Sequence, residues 1–224
     1  MTGIRARYDR LSAAREWRAD PDQGAAADHL QSLQNALEAV PPRGSTLWKM
    51  FGKKPDPVRG LYMWGDVGRG KSMLMDLFYE SVQVNRKRRV HFHEFMLEIH
   101  ARLAEERKKE LGDPIPPVVA ALADGARLLC FDEMVVNNTA DAAIMSRLFA
   151  GLIDAGVTVV TTSNRPPSDL YKNGINRSLF LPFIALIEAR LDVLSLNGPT
   201  DYRLDRLGDS TLWHTPNGEA ATAA

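Results

Sequence analysis

One cysteine in 224 residues leaves Cys130 with no internal disulfide partner, which suits a reducing compartment. Net charge is missing as well. Lys and Arg together number 28, as do Asp and Glu, so no bulk field draws the chain to nucleic acid or to an anionic membrane, and any polyanion contact has to be local. Long hydrophobic runs are also absent. The longest, Leu179 to Ile187, contains Pro182 and falls far short of the ~20 residues needed to span a bilayer, so no membrane span is expected. No secretory apolar stretch follows Met1, and the early arginines are mixed with Asp9, Glu16, Asp20 and Asp22, which argues against an acid-poor organelle transit peptide. A cytoplasmic protein is the expectation. There is no internal repeat, and the length suffices for one substantial core, or one domain with a small appendage.

What the chain does contain is a phosphate-binding signature. Gly65, Asp66, Val67, Gly68, Arg69, Gly70, Lys71 and Ser72 match G-x-x-x-x-G-K-[ST], which points to ATP or GTP. The apolar run Leu61 to Trp64 before it reads as a buried strand, and Met73 to Phe78 after it as the first turns of a helix, the context the motif requires. Glycines permit positive φ and close backbone approach, so successive N–H groups can point at phosphates where a helix N-terminus adds positive potential. Gly65 through Ser72, with Met73, form the expected nucleotide contacts. Lys71 would reach the β- and γ-phosphates, and Ser72 would hold Mg²⁺.

Around this motif, strands alternate with helices. Residues 5 to 40 have a helical, amphipathic pattern ended by Pro41 and Pro42, and a linker through Lys53 and Lys54 follows. Further strands are expected at Val90 to Phe95, Arg127 to Phe131, Val157 to Thr162 and Leu191 to Leu196. Helices are expected to about Leu111, in a short piece after Pro117, from Ala140 to Ala155, and from Leu181 to Arg190. Such alternation predicts an α/β fold with a parallel sheet and helices on both faces, the arrangement of a P-loop NTPase. Residues 1–44 are read as an N-terminal helical segment, 45–203 as the core and 204–224 as a polar, disordered tail.

Open α/β sheets bind ligands at the carboxyl ends of their strands. Asp132 and Glu133 stand at such an end, where Asp132 suits a partner of Mg²⁺ and Glu133 suits a base that polarises water. Two carboxylates there could also simply be solvated. Asn164, at the end of the next strand, could orient the attacking water against the γ-phosphate, or it could be an ordinary loop start before Arg165-Pro166-Pro167. Arg177, just before a helix, is a candidate for stabilising phosphoryl charge, or a solvated arginine. His91 and His93, two apart on a strand, would face one side, but no third ligand has metal-site spacing, so packing or hydrogen bonding is expected of them. Arg86, Lys87, Arg88 and Arg89 read as a solvated connection that could touch phosphates or an acidic partner. Cys130 reads as a small buried apolar residue.

In this order the pieces resemble the AAA+ ATPases, and within them the ZapE-like cell-division ATPases, whose mitochondrial relatives include the lactation-elevated protein. The resemblance runs from Gly60 through Ser72 and Met73 to Phe78, then through Val90-His91-Phe92-His93-Glu94-Phe95-Met96 and Leu128 to Glu133. It continues in Thr162 to Gly174, Leu179 to Ile184 and Gly198 to Arg203, and so covers most of residues 5 to 203. It implies a five-stranded parallel core and a cytoplasmic ATPase using ATP and Mg²⁺, bacterial rather than of the mitochondrial matrix. It also implies a homo-oligomer acting on a protein partner, FtsZ in bacteria, rather than on nucleic acid. Lys71, Ser72, Asp132, Glu133 and Asn164 take the nucleotide roles by position, and Arg177 that of a finger supplied to a neighbouring subunit.

Two departures accompany the match. Family members usually follow the acidic pair with Phe-Gln-Val and an acidic residue, where this chain has Met134 to Asn138. They also continue past the segment matching Tyr202 and Arg203 into a helical lid with another nucleotide-sensing arginine. This sequence ends at Ala224, so the lid is expected to be absent. Two other function classes stay open: a nucleotide-binding adaptor with little turnover, and a DNA-associated loader ATPase using Arg86 to Arg89.

Overall fold

The computed structural model describes residues 3–14, 17, 20–40, 57–109 and 112–197. Most of the expected linker, the segment matching Tyr202 and Arg203, the tail and the place of the lid lie outside the described residues. Five strands, β1 (Gly60–Trp64), β2 (Lys87–His91), β3 (Leu128–Asp132), β4 (Thr158–Ser163) and β5 (Leu191–Ser195), form one sheet in the order β2-β3-β4-β1-β5. Every neighbouring pair is parallel. Because β1 sits between β4 and β5, the strand order reverses at β1, and the crevice beside β4 opens at that switch point.

Parallel strands need crossovers, and the helices provide them: α3 (Lys71–Ser81), α4 (Phe92–Lys108), α5 (Ile115–Gly125), α6 (Thr139–Asp154) and α7 (Leu181–Arg190). Two more precede the sheet, α1 (Ile4–Ala13) and α2 (Pro21–Ala39). Alternate residues on a strand face opposite sides, and the cores divide on that rule. Leu61, Met63, Leu128, Cys130 and Val160 join α1, α2 and α3 in one cluster, which also takes in Leu196. Tyr62, Leu129, Phe131 and Val159 join α4, α5, α6 and α7 in the other. Phe131 anchors this second cluster, its ring centroid 4.7 Å from that of Phe95 and 5.7 Å from that of Phe149. Helices therefore cover both faces, as expected. Cys130 is fully buried mid-strand, and burial pushes its thiol above the ordinary cysteine range.

The structure corrects three local readings. The N-terminal helical pattern is two helices, because Asp20 caps a new one: its carboxylate accepts from the N–H groups of Asp22 at 2.7 Å and Gln23 at 3.2 Å, with Pro21 in the first turn. The second strand is Lys87–His91, and α4 starts at Phe92. Phe92, Phe95, Met96, Ile99 and Leu103 make a helical stripe buried on one face, so His93 sits on a helix and does not share a strand face with His91. Third, the basic run is not a solvated connection. Its last three residues lie in β2, an edge strand, where charge discourages pairing with other chains. Arg86 reaches the Asp124 carbonyl at 2.7 Å, Lys87 the carbonyls of Tyr79 and Val82, and Arg88 the carboxylate of Glu98.

Candidate functional site

The loop between β1 and α3 has the backbone the motif predicts. Gly68 and Gly70 lie at φ 92° and 81°, where side chains are strained, and Gly70 leads directly into α3. The first-turn amides of α3 have no partner within the helix, so Lys71, Ser72 and Met73 open a helix N-terminus suited to an anion. Lys71 is 8% exposed, and its ammonium folds over the loop, donating to the carbonyls of Gly65 at 2.7 Å and Asp66 at 2.8 Å. Ser72 is exposed at the helix start. The Asp66 N–H donates to Asn197 Oδ1 at 2.9 Å, which ties the loop to the exit of β5.

Strand register brings the remaining candidates to the same edge. Trp64 pairs with Ser163, so Asn164, exposed, stands level with Gly65. Phe131 pairs with Thr161, so Asp132 stands level with Thr162, two strands and about 10 Å from β1. Glu133 turns out of the sheet at φ 54°, an uncommon conformation for a residue with a side chain. Thr162 holds it there, its hydroxyl accepting from the Glu133 N–H at 3.0 Å and its carbonyl from the Met134 N–H at 2.7 Å. Ser163 adds a bond to the Met134 carbonyl at 3.0 Å. The segment that departs from the family pattern is anchored at alternate positions. Met134 and Val136 are buried, and Asn138 caps α6 by accepting from the Asp141 N–H at 2.7 Å.

Arg177 lies in the connection that leaves the carboxyl end of β4, in a 3₁₀ turn (Arg177–Leu179) before α7, with its guanidinium donating to the Ser168 carbonyl at 2.6 Å.

Sequence reasoning placed Arg89 in a solvated connection and missed its link to Asp132. Its Nε donates to Asp132 Oδ2 at 2.7 Å and its Nη2 to Oδ1 at 3.1 Å, while Nη1 reaches Asp76 on α3. Burial by itself would lower the guanidinium's pKa, but the bonds to Asp132 and Asp76 outweigh it and hold the group above its ordinary range. Asp76 lies one helical turn beyond Ser72, so Arg89 links the strand carrying Asp132 to the helix that follows the loop. Asp132 is 7% exposed. Removing its bidentate cation leaves a buried charge uncompensated, and Arg89→Met is expected to cost about 3 kcal/mol, read as a lower urea midpoint at unchanged slope.

The donor set fits Mg²⁺. Among the described residues no three His, Cys, Asp or Glu side chains gather into a metal cage. Mg²⁺ does not need one, since it is ordinarily held by one or two protein oxygens together with substrate phosphates and waters. The Ser72 hydroxyl and the lone pairs that Asp132 keeps beside Arg89 are oxygen donors of that kind.

A family model described as AFG1-like ATPase matches residues 2–224. The chain is 40% identical over 219 residues to cell division protein ZapE of Escherichia coli (strain K12), covering 92% of this chain and 58% of that protein. It is 47% identical over 159 residues to lactation elevated protein 1 homolog B of Danio rerio, covering 67% of this chain and 32% of that one. The chain thus spans less than two thirds of the length of these relatives. AMPPCP-bound DnaA from Aquifex aeolicus shares the fold at a TM-score of 0.53 and 16% identity, over 86% of this chain and 53% of that one. Among the described residues no helix is long and apolar enough to cross a membrane.

Proposed function

The chain belongs to the AFG1-like ATPase family, and from that premise we propose that it is a Mg²⁺-dependent ATP hydrolase of the AAA+ class acting on a protein partner. The Gly65 and Asp66 N–H groups are held by the Ser163 carbonyl and Asn197 Oδ1, so the backbone N–H groups that wrap the phosphates are those of Val67 to Met73, and Lys71 exchanges the loop carbonyls for phosphate oxygens. Ser72 and Asp132 would hold Mg²⁺, which when bound would supply neutralisation of phosphate charge. Glu133 polarises the attacking water, and Asn164 orients that water from the neighbouring strand end. Arg177 meets the charge on a neighbouring copy's phosphoryl group.

The observation that carries this reading is Glu133. A carboxylate-bearing residue kept at positive φ by two backbone N–H bonds donated to Thr162, beside the loop strand's neighbour, is local strain maintained by its surroundings, and such strain gathers at functional sites. Lys71→Ala removes a charge-assisted contact in a partly desolvated loop. It is expected to weaken Mg·ATP binding about 10- to 100-fold, measured by calorimetry, and wild-type affinity in that variant would remove Lys71 from the site.

The likeness to a cell division protein of Escherichia coli supports a partner in bacterial cell division, and FtsZ is the candidate that the family resemblance implies. ATP-dependent change in the light scattering of FtsZ polymers, beside a DNA-stimulated turnover assay, separates that partner from a loader role. The loader reading has less support because its basic run is occupied by Asp124, Tyr79, Val82, Glu98, Asp132 and Asp76.

A further inference from the structure

Helix α2 begins with Asp20-x-x-Gln23, a spacing in which the glutamine ordinarily turns its amide back to the N–H of the cap. Gln23 does not do so. The Asp20 N–H faces the Tyr8 hydroxyl of α1 at 3.4 Å, and the Gln23 amide reaches outward, Nε2 donating to the Arg69 carbonyl at 3.3 Å in the phosphate loop. Gln23 is 4% exposed, and among the described residues no donor meets its Oε1. A buried acceptor without a partner is costly, so the amide's placement is fixed by something other than the stability of α2. The group it serves is the turn at Arg69 and Gly70. A Cβ at Gly70 would come within 2.9 Å of Gln23 Nε2, so amide and loop are in close contact where the chain takes φ 81°. The pair α1–α2 cannot move independently of that contact, since Ala26, Ala27, Leu30 and Leu33 pack in one cluster with Leu74 and Phe78 of α3.

We propose that Gln23 is a positioning residue of the phosphate loop, through which the α1–α2 pair and the polyphosphate site are energetically coupled. The amide holds the Arg69 carbonyl away from the phosphate side and so keeps the first amides of α3 presented. Coupling is reciprocal: a bound polyphosphate tightens the docking of α1–α2 by the same factor that docking tightens polyphosphate binding. This rests on the nucleotide-binding reading above.

The test uses the full chain with ADP as probe. Gln23→Met keeps the length of the side chain but donates nothing, and is expected to weaken ADP binding about 5- to 10-fold by calorimetry. The KM for Mg·ATP should rise by a similar factor while kcat at saturation holds. Gln23→Glu, which sets a carboxylate against the Arg69 carbonyl, should weaken ADP binding further. In the wild type, ADP should slow amide hydrogen exchange in α1 and α2, and Gln23→Met should reduce that protection. Unchanged ADP affinity in folded Gln23→Met would overturn the proposal, as would a loss of kcat at constant KM. The wild-type exchange measurement stands without any variant: if ADP binds but leaves α1 and α2 unprotected, the coupling is absent. Failure of the wild type to bind ADP would instead sink the nucleotide-binding reading itself.

Discussion

Arg177→Ala is expected to lose turnover by about 10³- to 10⁵-fold while still binding Mg·ATP, because an arginine supplied between subunits meets charge that develops only on the transferred phosphoryl group. In one copy the side chain is folded back. Its Nη2 donates to the Ser168 carbonyl at 2.6 Å, and no partner meets its buried Nε among the described residues. To act on a neighbour, Arg177 has to exchange Ser168 for a phosphate oxygen, and turnover per chain should therefore rise with protein concentration. Mixing Arg177→Ala with Glu133→Gln should recover part of the activity, since a mixed interface joins an intact Glu133 to an intact Arg177. A mixture that co-assembles and stays inactive would remove the finger role and leave Arg177 as a brace for the Ser168 turn.

Glu133→Gln is expected to lower kcat about 10²- to 10⁴-fold with Mg·ATP affinity retained. The substitution keeps side-chain length and leaves the bonds from the Glu133 and Met134 amides to Thr162 in place, since both run through the backbone. What disappears is the basicity of the carboxylate. Single-turnover hydrolysis beside equilibrium ATP binding measures the two effects separately, and normal hydrolysis by the variant would assign the water to another group. Parallel loss of binding would mean that Glu133 shapes the loop instead of the chemistry.

The sheet and its two helical layers were legible because their signals are local. Leu128 to Phe131 is an apolar run and Val157 to Thr162 a β-branched run, both of strand length and buried on both sides as parallel strands are. The motif fixed β1 and α3 for the same reason. The edge strand β2 was misplaced because its first three residues, Lys87, Arg88 and Arg89, are charged, while Val90, Phe92 and the intervening His91 mimic a two-residue period. The stripe Phe92, Phe95, Ile99 and Leu103 had the helical period throughout, and giving it more weight would have moved the boundary.

The supporting residues of the candidate site were harder to see. Arg89 meets Asp132 only because β2 and β3 are neighbours, with His91 level with Asp132, and sheet order is not written in either strand. Gln23 and Asn197 reach the loop from opposite ends of the described chain through packing alone. The spacing Asp20-x-x-Gln23 lies inside the stretch read as a single helical pattern, and even as a helix start it predicts an amide turned back on its own cap, not one bonded to the loop.

The cluster that unites Ile4, Tyr8, Leu30 and Leu37 with Leu61, Cys130, Val160 and Leu196 has a consequence for how the molecule is made. Its earliest contributors leave the ribosome well before its last. At 5 to 20 residues per second, the stretch from Leu37 to Leu196 takes on the order of 10 to 30 s to synthesise. Throughout that interval α1 and α2 have no finished surface to lie against, and their apolar stripe is exposed in a nascent chain. Nearly the whole sheet must emerge before α1 and α2 can be sealed against it, so their docking is completed only after β5 has been made.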